Sequence, residues 1–553
     1  MAENKNIALE TSSLLPNNSL HRSKNETSRT KKLLIIALVG SIAVLTAIVT
    51  LHRNGHGHSH GRGVVFPPNF VWGSATSAYQ IEGGSTAGGR GPSIWDTWCV
   101  QSSENCNGDT GDVSDDHYHL WREDVELMAK LGLKAYRFSI SWSRILPSGT
   151  ADYASEDIED GVEENSGARV KGVNEAGVEF YNDLIDALLE NDIEPFITLY
   201  HWDLPQALED KYGGWANKSV VEDFADYSRI CFDKFGDRVK YWITINEGWT
   251  TAIHGYEEGS NAPGFKGEDV GGSGKPYLVG HHLLLAHARA VEVFRSEGYA
   301  NMYQRGRKDE RGLIGISNSG DHRFPLDPNS EDDQDAATRS MEFQLGWMTD
   351  PIYLGDYPSS MRKILGTRLP NFTQDEKKKL VGSADFIGLN HYSSALASKP
   401  SKPATYGGYW ADQLVTLSGK DSWKKTEMGW YVVPDGAREI LLWVDKRYSH
   451  PLIFVTENGM SAYEPNKEHS IHDDARVEYL EGYIRGFGQA LGRGVNLGGY
   501  FAWSLLDNFE WQYGFSKRFG IVHVNYTTQV RTPKSSAEFY SKVIKTNGGI
   551  LPE

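Results

Sequence analysis

The sequence predicts an α/β fold, a (β/α)8 TIM barrel with elaborated βα loops, for residues 66–545 of the 553-residue chain. Eight short apolar or aromatic runs occur there, and segments with helical periodicity separate them. Nearly every run ends at a residue able to bind or react, as expected where barrel strands end. The alternative, a doubly wound sheet, would need a Gly-rich phosphate loop after the first run, and none follows.

The chain before the barrel predicts one N-terminal transmembrane helix. Residues 33–51 carry no charge and are long enough to cross a bilayer once. Basic residues concentrate before this run, which predicts a cytosolic, disordered tail at 1–32 and a single-pass type II signal anchor. Residues 52–65 are then a Gly/His linker to a luminal or extracellular barrel, and 546–553 are a C-terminal tail. The alternative is a cleaved signal peptide and secretion.

Within the barrel region, strand-like runs and helical segments alternate. The strand-like runs lie at 70–75, 134–142, 195–201, 241–246, 313–318, 386–390, 452–456 and 498–504. The helical segments lie at 124–131, 177–189, 220–235, 278–295 and 475–491. Two long interruptions, 150–168 and 396–427, are predicted to be rim loops, the second of them shaping the mouth of a pocket.

Polar and aromatic residues collect at the predicted strand ends. They are Gln80, Arg137, His201, Asn246, Glu247, Asn390, Tyr392, Glu457 and Trp503. Since the strands of a closed barrel end on one face, these side chains are expected to converge on a single pocket. Trp95, Trp202 and Trp242 are expected to pack in the core instead.

Composition limits the classes of function. A net charge of -17 argues against a nucleic-acid or anionic-membrane surface, because both select for Lys and Arg. Aromatic residues make up 12% of the chain, which suits stacking on the apolar faces of sugar rings. The sequence therefore favours a catalytic body for a small-molecule substrate and leaves the oligomeric state open.

Nine ordered blocks give the chain a family resemblance. They are FVWGSATSAYQIEGG, RGPSIWDTW, YRFSISWSRILP, LYHWDLPQAL, YWITINE, GDYPSSM, DFIGLNHYS, FVTENGM and YFAWSLLDNFEWQYGFSKRFGIVHV. From about residue 66 to 540 the chain resembles family 1 glycoside hydrolases, the β-glucosidase family. The resemblance implies a retaining β-glycosidase that needs no metal and no organic cofactor.

The resemblance also implies catalytic roles. Glu457 corresponds to the nucleophile and Glu247 to the acid/base, the two carboxyl groups that retention requires. Arg137 would keep Glu457 ionised and Tyr392 would orient it, while Asn246 would bind the sugar 2-hydroxyl.

The remaining correspondences imply a sugar pocket. Its residues are Gln80, His201, Asn246, Asn390, Tyr392, Trp430, Trp503, Glu510, Trp511 and Phe519. A carboxylate at Glu510 would repel a 6-phosphate, so the expected substrate ends in an unphosphorylated glucosyl, galactosyl or fucosyl unit.

Two departures from the family pattern keep alternatives open. Gly248 follows the acid/base glutamate where the family usually has proline, and His391 stands where tyrosine is commoner. A catalytically impaired, klotho-like receptor is therefore one alternative, and a transglucosidase using the same covalent intermediate is another.

Several surface features are expected if the barrel faces an oxidising compartment. Cys99 and Cys106 could close a small disulfide loop or remain thiols, and three cysteines at these spacings do not form a zinc site. Asn217, Asn371 and Asn525 begin N-glycosylation sequons.

Overall fold

The computed structural model describes residues 65–152, 170–267, 274–305, 310–402 and 408–552. The strands are β1 Val71–Ala75, β2 Ala135–Ser139, β3 Glu194–Tyr200, β4 Tyr241–Asn246, β5 Leu313–Ser319, β6 His322–Pro325, β7 Phe386–Asn390, β8 Ser394–Ser398, β9 Thr416–Ser418, β10 Ile453–Asn458, β11 Leu497–Trp503, β12 Val522–Val524 and β13 Arg531–Pro533. The α-helices are α1 Ala78–Ile81, α2 Ile94–Gln101, α3 His117–Leu131, α4 Trp142–Ile145, α5 Glu175–Glu190, α6 Gln206–Tyr212, α7 Val220–Phe235, α8 Gly248–Tyr256, α9 Lys275–Ser296, α10 Glu331–Met341, α11 Trp347–Leu354, α12 Ser359–Leu365, α13 Gln374–Leu380, α14 Tyr409–Asp412, α15 Pro434–Arg447, α16 Lys467–Ile471, α17 Asp474–Gly492 and α18 Ser535–Lys545.

Eight of these strands close into the predicted parallel barrel. Their order around it is β1, β2, β3, β4, β5, β7, β10 and β11, and β11 pairs back with β1. The barrel interior is filled by aromatic rings, with Phe196 packing on Phe454 and Phe501 at centroid distances of 5.4 and 4.7 Å. Because these rings fill the barrel, a ligand has room only at its open ends.

The long helices that follow the strands pack around the barrel. Helix α7 buries Phe224, Tyr227 and Cys231, whose spacing follows the helical period. Helix α9 is predominantly apolar, and it packs against both α7 and α8. Both helices begin and end within three residues of the predicted bounds.

One predicted loop is partly regular structure. Within 396–427, β9 and the end of β8 pair with each other, and β8 also pairs with β6 to make a three-stranded sheet. The prediction of a loop there was wrong in part. Strand β9 was missed because it has only three residues and all of them are exposed. Such a strand lacks the alternation of apolar and polar residues by which strands are identified.

The predicted tail, anchor and most of the linker, residues 1–64, lie outside the described residues, as do residues 153–168 of the predicted loop at 150–168. Across the part of the chain that the structure describes, no helix combines the length and the hydropathy that a bilayer crossing needs.

Candidate active site

A cavity of about 440 Å³ lies at the carboxyl ends of the barrel strands. Ten of the predicted site residues line it: His201, Glu247, Asn390, Tyr392, Trp430, Glu457, Trp503, Glu510, Trp511 and Phe519. Gln80, Arg137 and Asn246 are fully buried behind this lining and contact it through hydrogen bonds. The structure thus brings the whole predicted set together.

Glu457, near the end of β10, is held by two donors. Arg137 Nη1 lies 2.5 Å from Glu457 Oε1, and the Tyr392 hydroxyl donates to Oε2 at 2.6 Å. Burial raises the pKa of Tyr392 well above its ordinary value, and the charge of Glu457 raises it further. The phenol therefore stays protonated and donates to a carboxyl group that the guanidinium also contacts.

Glu247 follows the last residue of β4 and is 7% exposed. Thr250 Oγ1 donates to its Oε2 at 2.6 Å, and Asn390 Nδ2 donates to its Oε1 at 2.7 Å. Burial raises the pKa of Glu247 to about 7, and the charge of Glu457 contributes in the same direction. Near neutral pH a substantial fraction of Glu247 therefore holds a proton.

Backbone geometry aims Glu247 into the cavity. Its φ of 50° is in the left-handed region, which is uncommon for a residue with a side chain, and it precedes the first residue of α8. Gly248 comes next, and a Cβ there would lie 3.1 Å from Met348 Sδ. The glycine leaves the start of this helix closely packed but without the fixed φ that proline would impose.

One hydrogen-bonded chain connects the two carboxyl groups. Asn246 Oδ1 accepts from Arg137 Nη2 at 2.7 Å and from Asn390 Nδ2 at 3.0 Å. Since Arg137 also contacts Glu457 and Asn390 also contacts Glu247, a single amide aligns the groups that hold both carboxyls. This couples the positions of the two carboxyl groups.

The same network sets the tautomer of His201. Asn246 Oδ1 already accepts two bonds, so its Nδ2 is the donor toward His201 Nε2, 3.1 Å away. Burial lowers the pKa of His201 well below its ordinary value, and the charge of Arg137 lowers it further, so the ring is neutral. The proton is therefore on Nδ1, which has no hydrogen-bond partner within the described residues and can donate to a ligand.

A third carboxyl group, that of Glu510, also lines the cavity. Burial raises the pKa of Glu510 to about 8, with further contributions from the charges of Glu457 and Glu247. Gln80 Nε2 donates to Asn508 Oδ1 at 2.9 Å and is 3.4 Å from Glu510 Oε2. Glu510 thus presents a carboxyl group that can bind hydroxyls, and Gln80 contacts it from behind the lining.

Aromatic rings form the other surfaces of the cavity. Trp503 stacks on the His201 ring at 5.7 Å, and Trp430 lies 5.9 Å from Phe519. The expectation that Trp202 belongs to the core was wrong, since it is half-buried, lines the cavity and packs on Trp511 at 4.6 Å. Trp95 and Trp242 are fully buried, as expected.

Several residues that line the cavity were not predicted, among them Thr250 and Arg323. Thr250, one helical turn beyond Glu247, was missed because a threonine early in a helix has no chemical signature of its own. Arg323, on β6, faces the outer part of the cavity, and its strand is too short to be identified by pattern. Arg323 is the one buried residue of β6, and nothing in the four-residue sequence of that strand indicates it.

The remaining predicted features are the cysteines and the glycosylation sequons. Cys99 and Cys106 form a disulfide, with the Sγ atoms 1.99 Å apart, whereas Cys231 is a buried thiol. Asn371 and Asn525 are exposed and Asn217 is half-buried, so the described sequons lie at or near the surface.

Comparison with known proteins gives consistent matches over the barrel. The model of the family described as "Glycosyl hydrolase family 1" matches residues 63–163 and 166–549. Raucaffricine-O-beta-D-glucosidase of Rauvolfia serpentina is 44% identical over 525 residues, covering 88% of this chain and 92% of the relative. Beta-glucosidase 42 of Arabidopsis thaliana is 46% identical over 494 residues, covering 87% and 94%.

Solved structures also resemble the chain over most of its length. A rice β-glucosidase mutant in a covalent complex with Glc has a TM-score of 0.79 and 39% identity, covering 87% of this chain and 99% of that one. A Thermotoga maritima β-glucosidase in complex with glucoimidazole has a TM-score of 0.75 and 43% identity, covering 88% and 99%. The likeness thus extends over nearly the full length of these proteins.

Proposed function

The chain belongs to glycosyl hydrolase family 1 and is a glycoside hydrolase, and we propose that it releases terminal, unphosphorylated β-glucosyl units with retention of configuration. The supporting observation is the pairing of unlike carboxyl groups on one hydrogen-bonded network. Glu247 has its pKa raised to about 7, while Glu457 is bound by Arg137. Retaining glycoside hydrolysis requires one carboxyl group that is protonated and one that is ionised.

In the first half of the proposed reaction, Glu457 attacks the anomeric carbon. Glu247 gives its proton to the glycosidic oxygen, the bond from that oxygen to the anomeric carbon breaks, and the aglycone leaves as an alcohol. Asn246 is positioned to bind the 2-hydroxyl, where a hydrogen bond strengthens as positive charge develops on the ring.

In the second half, the ester at Glu457 carries no charge. One contribution that raises the pKa of Glu247 is then lost, so Glu247 ionises more readily and can take a proton from water. That water attacks the anomeric carbon, the bond to Glu457 breaks, and the sugar leaves with its original configuration.

The preference for an unphosphorylated sugar follows from charge. The pKa of Glu510, raised to about 8 by burial and by two neighbouring carboxyls, indicates a site that already disfavours added negative charge. A sugar phosphate would bring about 1.5 to 2 further negative charges into it at neutral pH. Beta-glucosidases among the relatives support glucose as the sugar.

A panel of 4-nitrophenyl β-glycosides tests this function. The glucoside should be hydrolysed with the highest kcat/KM among the glucoside, galactoside, fucoside and glucoside 6-phosphate, with β-glucose as the first product by NMR. Release of α-glucose would contradict retention, and no turnover of any member would favour the receptor alternative. Transfer to an added alcohol faster than hydrolysis would instead indicate a transglucosidase.

We further propose that the barrel is tethered by residues 33–51 and faces the secretory lumen or the exterior. This rests on the uncharged run and on the basic residues before it. Glycan mapping tests the orientation, because Asn217, Asn371 and Asn525 should then be the accessible sequons. Glycans at Asn17 or Asn25 would contradict a cytosolic tail.

A further inference from the structure

The loop from Cys99 to Asp109 lies beside the turn at 510–515, which carries Glu510 and Trp511. The disulfide between Cys99 and Cys106 closes this loop onto α2. We propose that Asp109, held by the disulfide, is a positioning residue that sets the side chains of the turn for binding the sugar hydroxyls. This inference rests on the proposed function, since it concerns how the same enzyme holds its glucosyl unit.

Asp109 bonds to the backbone of the turn. Its Oδ2 accepts from the backbone N–H of Phe515 at 3.0 Å. Gly514, the residue before, has a φ of 53°, and a Cβ there would clash with Asp109 Oδ2 and lie 2.5 Å from the Cys106 carbonyl oxygen. The loop and the turn therefore approach more closely than a side chain at position 514 would allow. The carboxyl group of Asp109 ties them together at this contact.

The turn passes this contact on to Glu510. The Glu510 backbone N–H donates to the Gly514 carbonyl at 2.7 Å, and the Gly514 N–H donates to the Trp511 carbonyl at 3.0 Å. Trp511 has a φ of 52°, in the left-handed region that residues with side chains seldom adopt. Such a backbone persists only where its surroundings hold it. A displacement of Gly514 would therefore move Glu510 and Trp511, both of which line the cavity.

The disulfide fixes the other side of the contact. Cys106 and Asn107 have φ values of 52° and 57°, so two consecutive residues with side chains are in the left-handed region. The Asp109 backbone N–H donates to the Cys106 carbonyl at 3.0 Å, so the position of Asp109 depends on that of Cys106. Cys99, at the other end of the bond, is buried on α2. Because residues 100–104 between the cysteines are exposed, the disulfide and not packing holds this loop.

Helix α2 and its neighbours pack on the indole of Trp511. Trp95, on α2, lies 4.6 Å from Trp511 between ring centroids. Tyr79 stacks on Trp511 at 6.2 Å, and its hydroxyl is 3.8 Å from Cys99 Sγ. The anchored end of the loop and the indole that lines the cavity thus belong to one aromatic cluster. Asp109 and this cluster hold the turn from two directions.

Substrates that lack one hydroxyl separate positioning from folding. The kcat/KM is measured for 4-nitrophenyl β-glucoside and for its 3-, 4- and 6-deoxy analogues, with wild type, Glu510→Ala and Asp109→Ala. The hydroxyl that Glu510 binds is the one whose removal lowers kcat/KM in wild type far more than in Glu510→Ala. The test uses the ratio of kcat/KM for the glucoside to kcat/KM for this deoxy analogue. A variant that merely folds less completely lowers both values and leaves the ratio unchanged.

Asp109→Ala should lower this ratio about 10-fold, the lower end of the loss expected for a hydrogen bond to a charged group, because Glu510 is displaced but still present. Asp109→Asn, whose amide oxygen can still accept from Phe515, should restore most of the ratio. Cys99→Ser combined with Cys106→Ser should give a ratio between those of the two Asp109 variants, since the carboxyl group remains but its anchor is lost.

Two control variants make similar changes elsewhere. Asp327→Ala removes a carboxyl group that accepts from the Asn329 backbone N–H at 2.9 Å, on an exposed turn after β6. Cys231→Ala removes a fully buried thiol from α7. Both should keep the wild-type ratio, even if they lower stability. Circular dichroism identifies any variant that fails to fold, and if Asp109→Ala is one of them, the paired serine variant decides the outcome.

Two results would overturn the inference and leave the proposed function in place. In the first, Asp109→Ala keeps the wild-type ratio, so that Asp109 acts on the fold alone or on nothing that the sugar contacts. In the second, Asp109→Ala lowers the ratio but the paired serine variant does not, so that the disulfide has no part in positioning. If wild type hydrolyses no glucoside, the proposed function fails, and this inference fails with it.

Discussion

The proton on Glu247 is the feature of the site most open to a quantitative test. With its pKa at about 7, only about one molecule in eleven would hold that proton at pH 8. Since the protonated form is the one that acts, kcat/KM should fall as pH rises through about 7, to about one tenth of its plateau at pH 8.

Glu247→Gln removes this titration without changing the shape of the side chain. For a leaving group that needs protonation, such as the alcohol of a disaccharide, kcat/KM should fall about 10²- to 10⁴-fold. For 2,4-dinitrophenyl β-glucoside, whose leaving group departs as a stable anion, the loss should be far smaller, and the decline that begins near pH 7 should be absent. Any remaining decline should begin nearer pH 8, where Glu510 titrates.

The chain offers a matched control in Glu194. Burial raises its pKa to about 7 as well, but it begins β3 and is therefore at the amino end of the barrel, away from the cavity. Glu194→Gln should leave the pH profile unchanged. If Glu247→Gln kept the wild-type decline near pH 7, or if Glu194→Gln removed it, the assignment of the proton donor would be refuted.

Two further predictions concern buried cations. Arg137→Met removes the partner of Glu457, so kcat/KM should fall about 100-fold or more. An unchanged kcat/KM in a folded variant would contradict the pairing. Lys534→Met removes a fully buried cation that donates to Glu464 at 2.8 Å and to Asp507 at 2.7 Å, and should cost about 3–5 kcal/mol of unfolding free energy at pH 7. Burial acts to raise the pKa of Asp507, but Lys534 and the other nearby cations hold it below its ordinary value. The contribution of this ion pair to the free energy of unfolding is therefore present above about pH 4 and is lost as pH falls further. Urea unfolding at pH 7 and pH 2.5 should therefore show a smaller difference from wild type at the lower pH, and an equal difference at both would contradict the ionic account.

The barrel could be predicted from the sequence because several of its helices are long, and because strand-like runs alternate along the chain with segments of helical periodicity. Helix α7 begins and ends at the predicted residues, and its buried face follows the helical repeat. Strand β2 is shorter than the predicted run, ending at Ser139, because α4 begins at Trp142 within that run. Apolar content alone could not locate this boundary, since strand and helix are both buried there.

The site was predictable in its residue types but not in its connections. Motifs identify Glu247 and Glu457, whereas the shared role of Asn246, which accepts from Arg137 and Asn390 together, needs coordinates. Such bonds join residues more than 100 positions apart in the chain, and no local pattern encodes them.

The outer cavity was the least predictable region, for a physical reason. Sheet β6-β8-β9 consists of short strands whose side chains are partly exposed, so hydrophobic periodicity is weak. Arg323 is buried there beside Gln344 instead of pointing to solvent, and a lone arginine in a polar segment is expected to be exposed.

The most direct test of the proposed function is to trap the covalent intermediate. Wild type is incubated with 2,4-dinitrophenyl 2-deoxy-2-fluoro-β-glucoside, whose fluorine slows both steps while the leaving group keeps the first one faster, and the digested protein is analysed by tandem mass spectrometry. We expect one burst of dinitrophenolate per active site and a fluoroglucosyl ester on Glu457. An ester on any other residue, or a burst with no ester on an otherwise active enzyme, would contradict the mechanism.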